Sequence, residues 1–342
     1  MPSPPRWCTV VSWTLPAKDT RAMTETMRAM EATRDDVALV EVPVPTPGPG
    51  EVRVNVASAA VNAAEGKVIS GAFAGRFLHA RTSPRVLGWD FAGTIDAIGD
   101  GVTDLATGDA VWGHLAFAGS QRQGTYAEYV TLPRDAVAAK PADVPFEVAA
   151  AAATCAMTSL QAMRDYGRLA AGQKVLVIGA GGGVGELAVG IAKRLGAHVT
   201  GVCSTGDVAR VKAAGANVVI DRRSADPYAG ESAYNVVFDT PAVASYGRCA
   251  RLLRPGGTYV TTLPDGALIT GLIRSQFSSR RCRFVQVASK RADLELIGGW
   301  LSDGLQVTID SRHEINALGA ALRRQTEPGR TGRVVVEVAG GW

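Results

Sequence analysis

The clearest chemical capacity in this sequence lies in the run Gly179-Ala180-Gly181-Gly182-Gly183-Val184-Gly185. Glycine has no Cβ, so such a run lets backbone N–H groups approach a diphosphate closely. A short apolar segment, Lys174 to Ile178, precedes it, and Val184, Leu187, Ala188, Ile191 and Leu195 follow at helical spacing. Strand, glycine loop and helix N-terminus in that order make an anion site, because the first helical N–H groups are unpaired and the helix dipole favours negative charge. The next apolar run, His198–Cys203, reads as a second strand and completes a βαβ unit. This context predicts a dinucleotide held by Gly179, Gly181, Gly182, Gly183, Val184 and Gly185.

The second strand should end beside the adenosine ribose, where an NAD site usually offers an acid about 20 residues after the loop begins. Here the strand runs into Cys203-Ser204-Thr205-Gly206, with no acid at its tip. Ser204 and Thr205 leave room for a 2′-phosphate and can hydrogen-bond to it, with Arg222, Arg210 and Arg223 as charge partners. Asp207 opposes this by repulsion, but the spacing Ser204-x-x-Asp207 fits a capping box that turns the carboxylate toward the helix backbone. The expected cofactor is NADPH in preference to NADH.

These residues need elements to hold them. From Met27 to about Pro133 the pattern reads as all-β, a small irregular barrel. Runs at 37–42, 51–59 and 91–99 are broken by Pro- and Gly-rich turns, and Val52, Val54 and Val56 alternate. Residues 145–167 have helix-forming composition. After the glycine loop come strands at 217–221 and 234–239, a helix near Ala242 to Leu253, and strands at 257–262 and 283–288. A helix at Ala292 to Ser302 and a terminal strand at 333–338 close the chain. Alternating strands and helices in the middle imply a doubly wound parallel sheet, so the fold class is α/β.

Bulk properties exclude several alternatives. The 342 residues suffice for about two domains, and 46% hydrophobic with 20% charged residues is ordinary globular composition. The net charge of +4 is spread without a long basic run, so nucleic acid is not expected as a partner. The locally basic stretch from Arg274 to Arg291 reads as a solvated face before an anion site. No apolar run reaches the roughly 18 residues of a membrane helix. Five widely spaced cysteines form no CxxC pair and point to reduced thiols, hence a cytoplasmic setting. Residues 1–26 are rich in Pro and polar side chains, with an apolar patch too short for a signal peptide. They read as a disordered extension or a start placed too early.

Motifs spread over nearly the whole chain carry a resemblance. PGPGEVRVNV (47–56), VN (61–62), VLGWDFAGTIDAIGDGV (86–102), GDAVWG (108–113), GTYAEYV (124–130), the glycine loop, CST (203–205), LLRPGG (252–257) and TGRVVVEV (331–338) resemble the medium-chain dehydrogenase/reductase superfamily, in its zinc-lacking quinone oxidoreductase branch. The resemblance implies a Rossmann domain (151–285) inserted in a mainly β, GroES-like catalytic domain (27–150 and 286–342), with the cofactor in the cleft between them and a homodimer as the assembly. It also implies that Asn62 lines the cleft beside the nicotinamide or substrate, where the plain alternative is a loop-capping amide. Lys67 becomes a proton donor or anion contact, against a solvated surface lysine. Thr158 falls near the nicotinamide carboxamide, and the backbone from Leu263 to Gly266 on the nicotinamide side.

Departures from the family pattern bear on the chemistry. Zinc-dependent relatives use a cysteine ligand near Asn62 and then Gly-His-Glu, whereas this chain has Gly88-Trp89-Asp90, and its four histidines (79, 114, 198, 313) are scattered. No metal site is therefore expected. The remaining chemistry is hydride addition to an activated small-molecule acceptor such as a quinone, enone or enal. Relatives often place a Tyr after a Ser-Gly pair, but Ser70-Gly71 is followed here by Ala72-Phe73. Tyr126 is the alternative hydroxyl, with packing as its competing role. Two further readings stand beside the first: a biosynthetic enoyl or imine reductase for one specialised metabolite, and a non-catalytic NADPH-binding protein.

Overall fold

A computed structural model describes residues 25–34, 37–264 and 266–342. The expectation for the N-terminal extension therefore lies almost wholly outside the described residues. The chain opens with a two-stranded antiparallel ribbon, β1 (Thr26–Ala32) and β2 (Val37–Pro43). The long strand β3 (Glu51–Val61) then forms the axis of a seven-stranded sheet. Val52, Val54 and Val56 are buried while Glu51, Arg53 and Asn55 are half-exposed, as the alternation requires. It pairs antiparallel with β4 (Asp90–Ile98), and β4 with β5 (Ala110–His114); β6 (Tyr129–Pro133) pairs with β3 and β7 (Val137–Ala139) with β5.

This half is not all-β. Helix α1 (Ala63–Ile69) and a 3-10 turn (Phe73–Phe77) interrupt it between β3 and β4. The missed signal was Asn62 followed three residues later by Glu65, half of which forms as a cap: the Asn62 N–H donates to Glu65 Oε2 at 2.9 Å.

Helix α2 (Phe146–Gln161) carries the chain between the two halves. Residues Ala149 to Ala153 are all fully buried, and a helix apolar on every side must be enclosed. Small side chains let it lie close to β3 and β4 on one side and to α3 on the other. The second sheet follows: β8 (Lys174–Ile178), α3 (Gly183–Arg194), β9 (His198–Cys203), α4 (Val208–Ala213), β10 (Val218–Asp221), β11 (Tyr234–Asp239), α5 (Tyr246–Cys249), β12 (Leu253–Thr261), α6 (Gly266–Gln276) and β13 (Arg281–Phe284). All its pairings are parallel and the order is β10-β9-β8-β11-β12-β13, the doubly wound order that reverses beside β8. The helix expected near Ala242 to Leu253 is one short turn, α5, extended by a 3-10 turn, because Ser245 caps it late by accepting from the Arg248 N–H. The strand expected to reach residue 288 stops at Phe284.

After α7 (Arg291–Ser302), strands β14 (Ile309–Glu314) and β15 (Arg333–Glu337), separated by α8 (Leu318–Thr326), rejoin the first sheet, where β15 pairs with β3. One buried cluster runs from Ala92 and Trp112 in the first sheet through α2 to Val175, Val177 and Val260 in the second. Ala153, a member of this cluster, is fully buried. Ala153→Leu should destabilise the chain by about 1–3 kcal/mol through overpacking, read as a lower urea midpoint with an unchanged slope.

Candidate functional site

The parallel strands end at one large cavity of about 1260 Å³, the place where open α/β sheets bind ligands. Gly179, Gly181, Gly182, Gly183 and Val184 line it, and Gly179 adopts φ +77°, which a side chain would disfavour. Helix α3 closes its first turn with Glu186 N–H to Gly182 O at 2.8 Å; the Ala180 and Gly182 N–H groups are taken by Val202 O and Gly179 O, which leaves those of Gly183, Val184 and Gly185 for a ligand. Gly185 does not face the cavity; a Cβ there would lie 2.0 Å from Gly179 O, so its role is to let the loop fold back on the helix. A Cβ at Gly183 would sit 2.6 Å from Cδ of Arg333. The loop thus has the form of an anion cradle whose floor includes an arginine from the other sheet.

At the far end, Ser204 and Arg222 line the cavity, and Arg222 Nη2 donates to Ser204 Oγ at 2.9 Å. Thr205 does not line it and is exposed; its hydroxyl instead bonds Asp221, whose carboxyl it holds below the usual range. The capping box expected at Ser204 and Asp207 does not form. Asp207 turns to Arg210 at 2.6 Å, because that guanidinium also reaches Gly181 O at 2.6 Å and Glu186 at 3.3 Å. Asp207 is therefore neutralised within the protein, which removes the objection to a phosphate nearby. Arg210 and Arg223 do not line the cavity.

At the opposite end lie Asn62, Lys67, Thr158 and Leu263, all on the cavity wall; Asp265 lies outside the described residues. Lys67 is half-buried, and burial holds its ammonium below the usual lysine range. No ion-pair partner approaches it among the described residues. Phe73, Phe77, Leu78 and Phe117 complete an apolar mouth, with Phe73 and Phe77 edge to face at 5.4 Å and exposed by 70% and 58%.

Beneath this end is a buried polar network that motif reading missed. Arg333 Nη2 donates to Asp90 Oδ2 at 2.9 Å and to Asn62 Oδ1 at 2.9 Å, and its Nε donates to Ala151 O at 3.0 Å. Asp90 also accepts from Asn62 Nδ2 at 3.1 Å, from the Thr154 N–H at 2.8 Å and from the Thr154 hydroxyl. Asn62 is thus a member of this network as well as a wall residue, and its amide is committed on both sides. Arg333 could have been noticed as a charge opening an otherwise apolar strand. Tyr126 is fully buried and donates to Glu65 Oε1 at 2.9 Å, so it packs under α1 and does not face the cavity.

The fold family includes zinc enzymes, and the donor set here does not fit that metal. No histidine lines the cavity, and Asp90 is engaged by Arg333. Cys155 is buried with its thiol pushed up to about 11. Among the described residues no three His, Cys, Asp or Glu side chains converge as a metal site.

Burial pushes the Glu65 carboxyl from its ordinary 4.5 up to about 8. Between those values the folded chain binds a proton that the unfolded chain has released, so stability falls as pH rises through this window and levels off above it. Glu65→Gln removes the titration while retaining groups for Asn62 and Tyr126. Melting temperatures measured between about pH 5 and pH 8 should decline less steeply in the variant, and parallel slopes would contradict the assignment.

Comparison with known proteins agrees with this architecture. The alcohol dehydrogenase GroES-like domain model matches residues 48–142, and the zinc-binding dehydrogenase model matches 214–336. A trans-enoyl reductase of Aspergillus terreus is 28% identical over 312 residues, covering 85% of this chain and 87% of its own. A chloroplast envelope quinone oxidoreductase homolog of Arabidopsis thaliana is 27% identical over 310 residues, covering 87% and 93%. An NADPH-dependent alkenal/one oxidoreductase of the same plant is 30% identical over 216 residues, covering 61% and 54%. The quinone oxidoreductase structure from Coxiella burnetii shares the fold with a TM-score of 0.79 at 24% identity, covering 92% of this chain and 100% of that one. With glycine loop, strand order and cleft in agreement, the chain belongs to the medium-chain dehydrogenase/reductase superfamily of oxidoreductases, in its quinone oxidoreductase-like branch.

Proposed function

We propose that this chain is an NADPH-dependent, zinc-independent reductase that delivers hydride to a conjugated carbonyl acceptor such as a quinone, enone or enal. One observation carries the reading. A single cavity of about 1260 Å³ runs from Ser204 and Arg222, past the glycine loop, to an aromatic mouth at Phe73 and Phe77, with no metal donor set among the described residues. A cavity lined in this way would hold a dinucleotide and an acceptor together.

When bound, the nicotinamide supplies the hydride. The loop N–H groups and Arg333 hold the diphosphate, and Ser204 with Arg222 receives the 2′-phosphate. Thr158 and the backbone at Leu263 border the nicotinamide end. Hydride addition at the acceptor's β-carbon builds negative charge on its conjugated oxygen. The Lys67 ammonium is a cation on the cavity wall with no ion-pair partner among the described residues, and one such donor would be worth about 3 kcal/mol to the transition state. Asn62 holds the wall beside it through Asp90 and Arg333.

The exposed Phe73–Phe77 pair also favours a second reading, a reductase for one bulky enoyl metabolite. The four buried, unpaired cysteines among the described residues support a reducing, cytoplasmic setting, and the family resemblance supports a homodimer.

Loss of reduced-nicotinamide absorbance with a panel of quinones, enones and enals tests the proposal. Oxidation of NADPH by several acceptors supports the first reading, turnover of one narrow enone class the second, and tight binding without turnover contradicts both. Arg222→Ala should raise the KM for NADPH about 10- to 100-fold with little change for NADH, since it removes a charge-assisted contact to the phosphate alone.

A further inference from the structure

After β13 ends at Phe284, the chain crosses irregularly to Lys290 before α7 begins. Phe284, Val285, Gln286 and Val287 form part of the cavity wall. Irregular backbone has no ladder to fix it, so its polar groups must find other partners. The last sheet bond is Val285 N–H to Thr261 O at 2.9 Å.

From there side chains take over. Gln161 Nε2 donates to Ala288 O at 2.8 Å, and the Ala288 N–H donates to Gln161 Oε1 at 2.9 Å. A buried side-chain amide thus takes the place of a neighbouring strand. Its second proton goes to Asp293 Oδ2 at 2.9 Å, and Asp293 is held in turn by Arg164 at 2.7 Å. The Tyr166 hydroxyl donates to Gln286 O at 3.2 Å. Arg164 and Tyr166 both lie in the π-turn Ala162–Tyr166 that ends α2, a widened turn of the kind that re-aims side chains at functional sites.

The next residue is anchored from the other sheet. Ser289 Oγ donates to His114 O at 2.6 Å, so His114 Nδ1 carries the ring proton and donates back to Ser289 Oγ at 2.8 Å. Burial pushes His114 down to about 3, so the ring is neutral at neutral pH with its one proton on Nδ1. The anchors fall on Ala288 and Ser289, immediately after the residues that face the cavity.

We propose that Gln161 is a positioning residue for hydride transfer: with the His114–Ser289 pair it clamps segment 285–290 into the wall against which the nicotinamide ring is oriented. The inference rests on the dinucleotide reading above. Neither Gln161 nor Ser289 lines the main cavity, so their effect passes through the segment.

The test uses the full chain with NADPH and the fastest acceptor of the panel. Gln161→Ala and Ser289→Ala are compared with the unaltered protein for kcat, for hydride transfer from each face of NADPH deuterated at C4, and for affinity toward 2′,5′-ADP, which lacks nicotinamide. The expected result is a roughly 10- to 100-fold loss of kcat with hydride leaking from the wrong face, at unchanged 2′,5′-ADP affinity. If Gln161→Ala fails to fold, Ser289→Ala is judged alone on the same criteria. Turnover and facial selectivity within about twofold of the unaltered protein overturn the proposal, as does a loss of kcat matched by an equal loss of 2′,5′-ADP affinity. If the unaltered protein turns over no acceptor, the functional reading fails and the clamp is read from bound NADPH emission. Reduced emission in the variants with intact 2′,5′-ADP binding supports the clamp, and equal emission overturns it.

Discussion

The buried pair of Asp90 and Arg333 ties together more of this structure than any other contact. Asp90 opens β4 and Arg333 opens β15, so the pair joins strands 243 positions apart, with both side chains at most 4% exposed. Such a pair is costly to desolvate, and removing one partner typically costs about 3–5 kcal/mol because the other is left stranded. Here most remaining sites are occupied: Thr154 and Asn62 complete the carboxylate, while Ala151 O and Asn62 Oδ1 engage Nε and Nη2 of the guanidinium and Nη1 lies on the side of Gly183. Strand β3, helix α2 and the first turn of α3 are all positioned by it. The same arginine packs against Gly183, so the floor of the anion cradle and the wall of the substrate end share one side chain.

Local chemistry made much of this legible in the sequence. A strand, glycine loop and helix are written in adjacent residues, and β8, β9 and β11 fall where the apolar runs place them. The tip of β9 was readable for the same reason, since Ser204 and Arg222 follow their strands directly. What failed was short or non-local. Helix α1 has seven residues, too few for periodicity to stand out, and α5 has four. The role of Arg333 depends on a partner brought up by sheet pairing, which no window of sequence contains. Asp207 was given a plausible local cap, but Arg210 and Gly181 outbid it once the loop was folded.

Charge is distributed along the cavity in a way that follows from those pairings. The one carboxylate on its wall among the described residues, Asp207, is matched by Arg210, and Arg333 is matched by Asp90. Lys67, Arg222, Arg248 and Arg330 also line it, and none of them has a carboxylate partner among the described residues. A low-dielectric, largely apolar lining strengthens what those cations can do.

Helix α2 has a mechanical consequence. Its packing runs from β3 and β4 to α3 and α7, inside the buried cluster that spans both sheets. Rotating one half against the other would bend sixteen residues of enclosed helix and open a close-packed seam. Rigid-body hinging is therefore stiff in this molecule. Access to the cleft is left to its rim, chiefly the 3-10 turn that carries Phe73 and Phe77 and the loop after β12, whose displacement disturbs little buried surface. The timescale of entry and release would then be that of loops, set independently of the framework that fixes the reacting geometry.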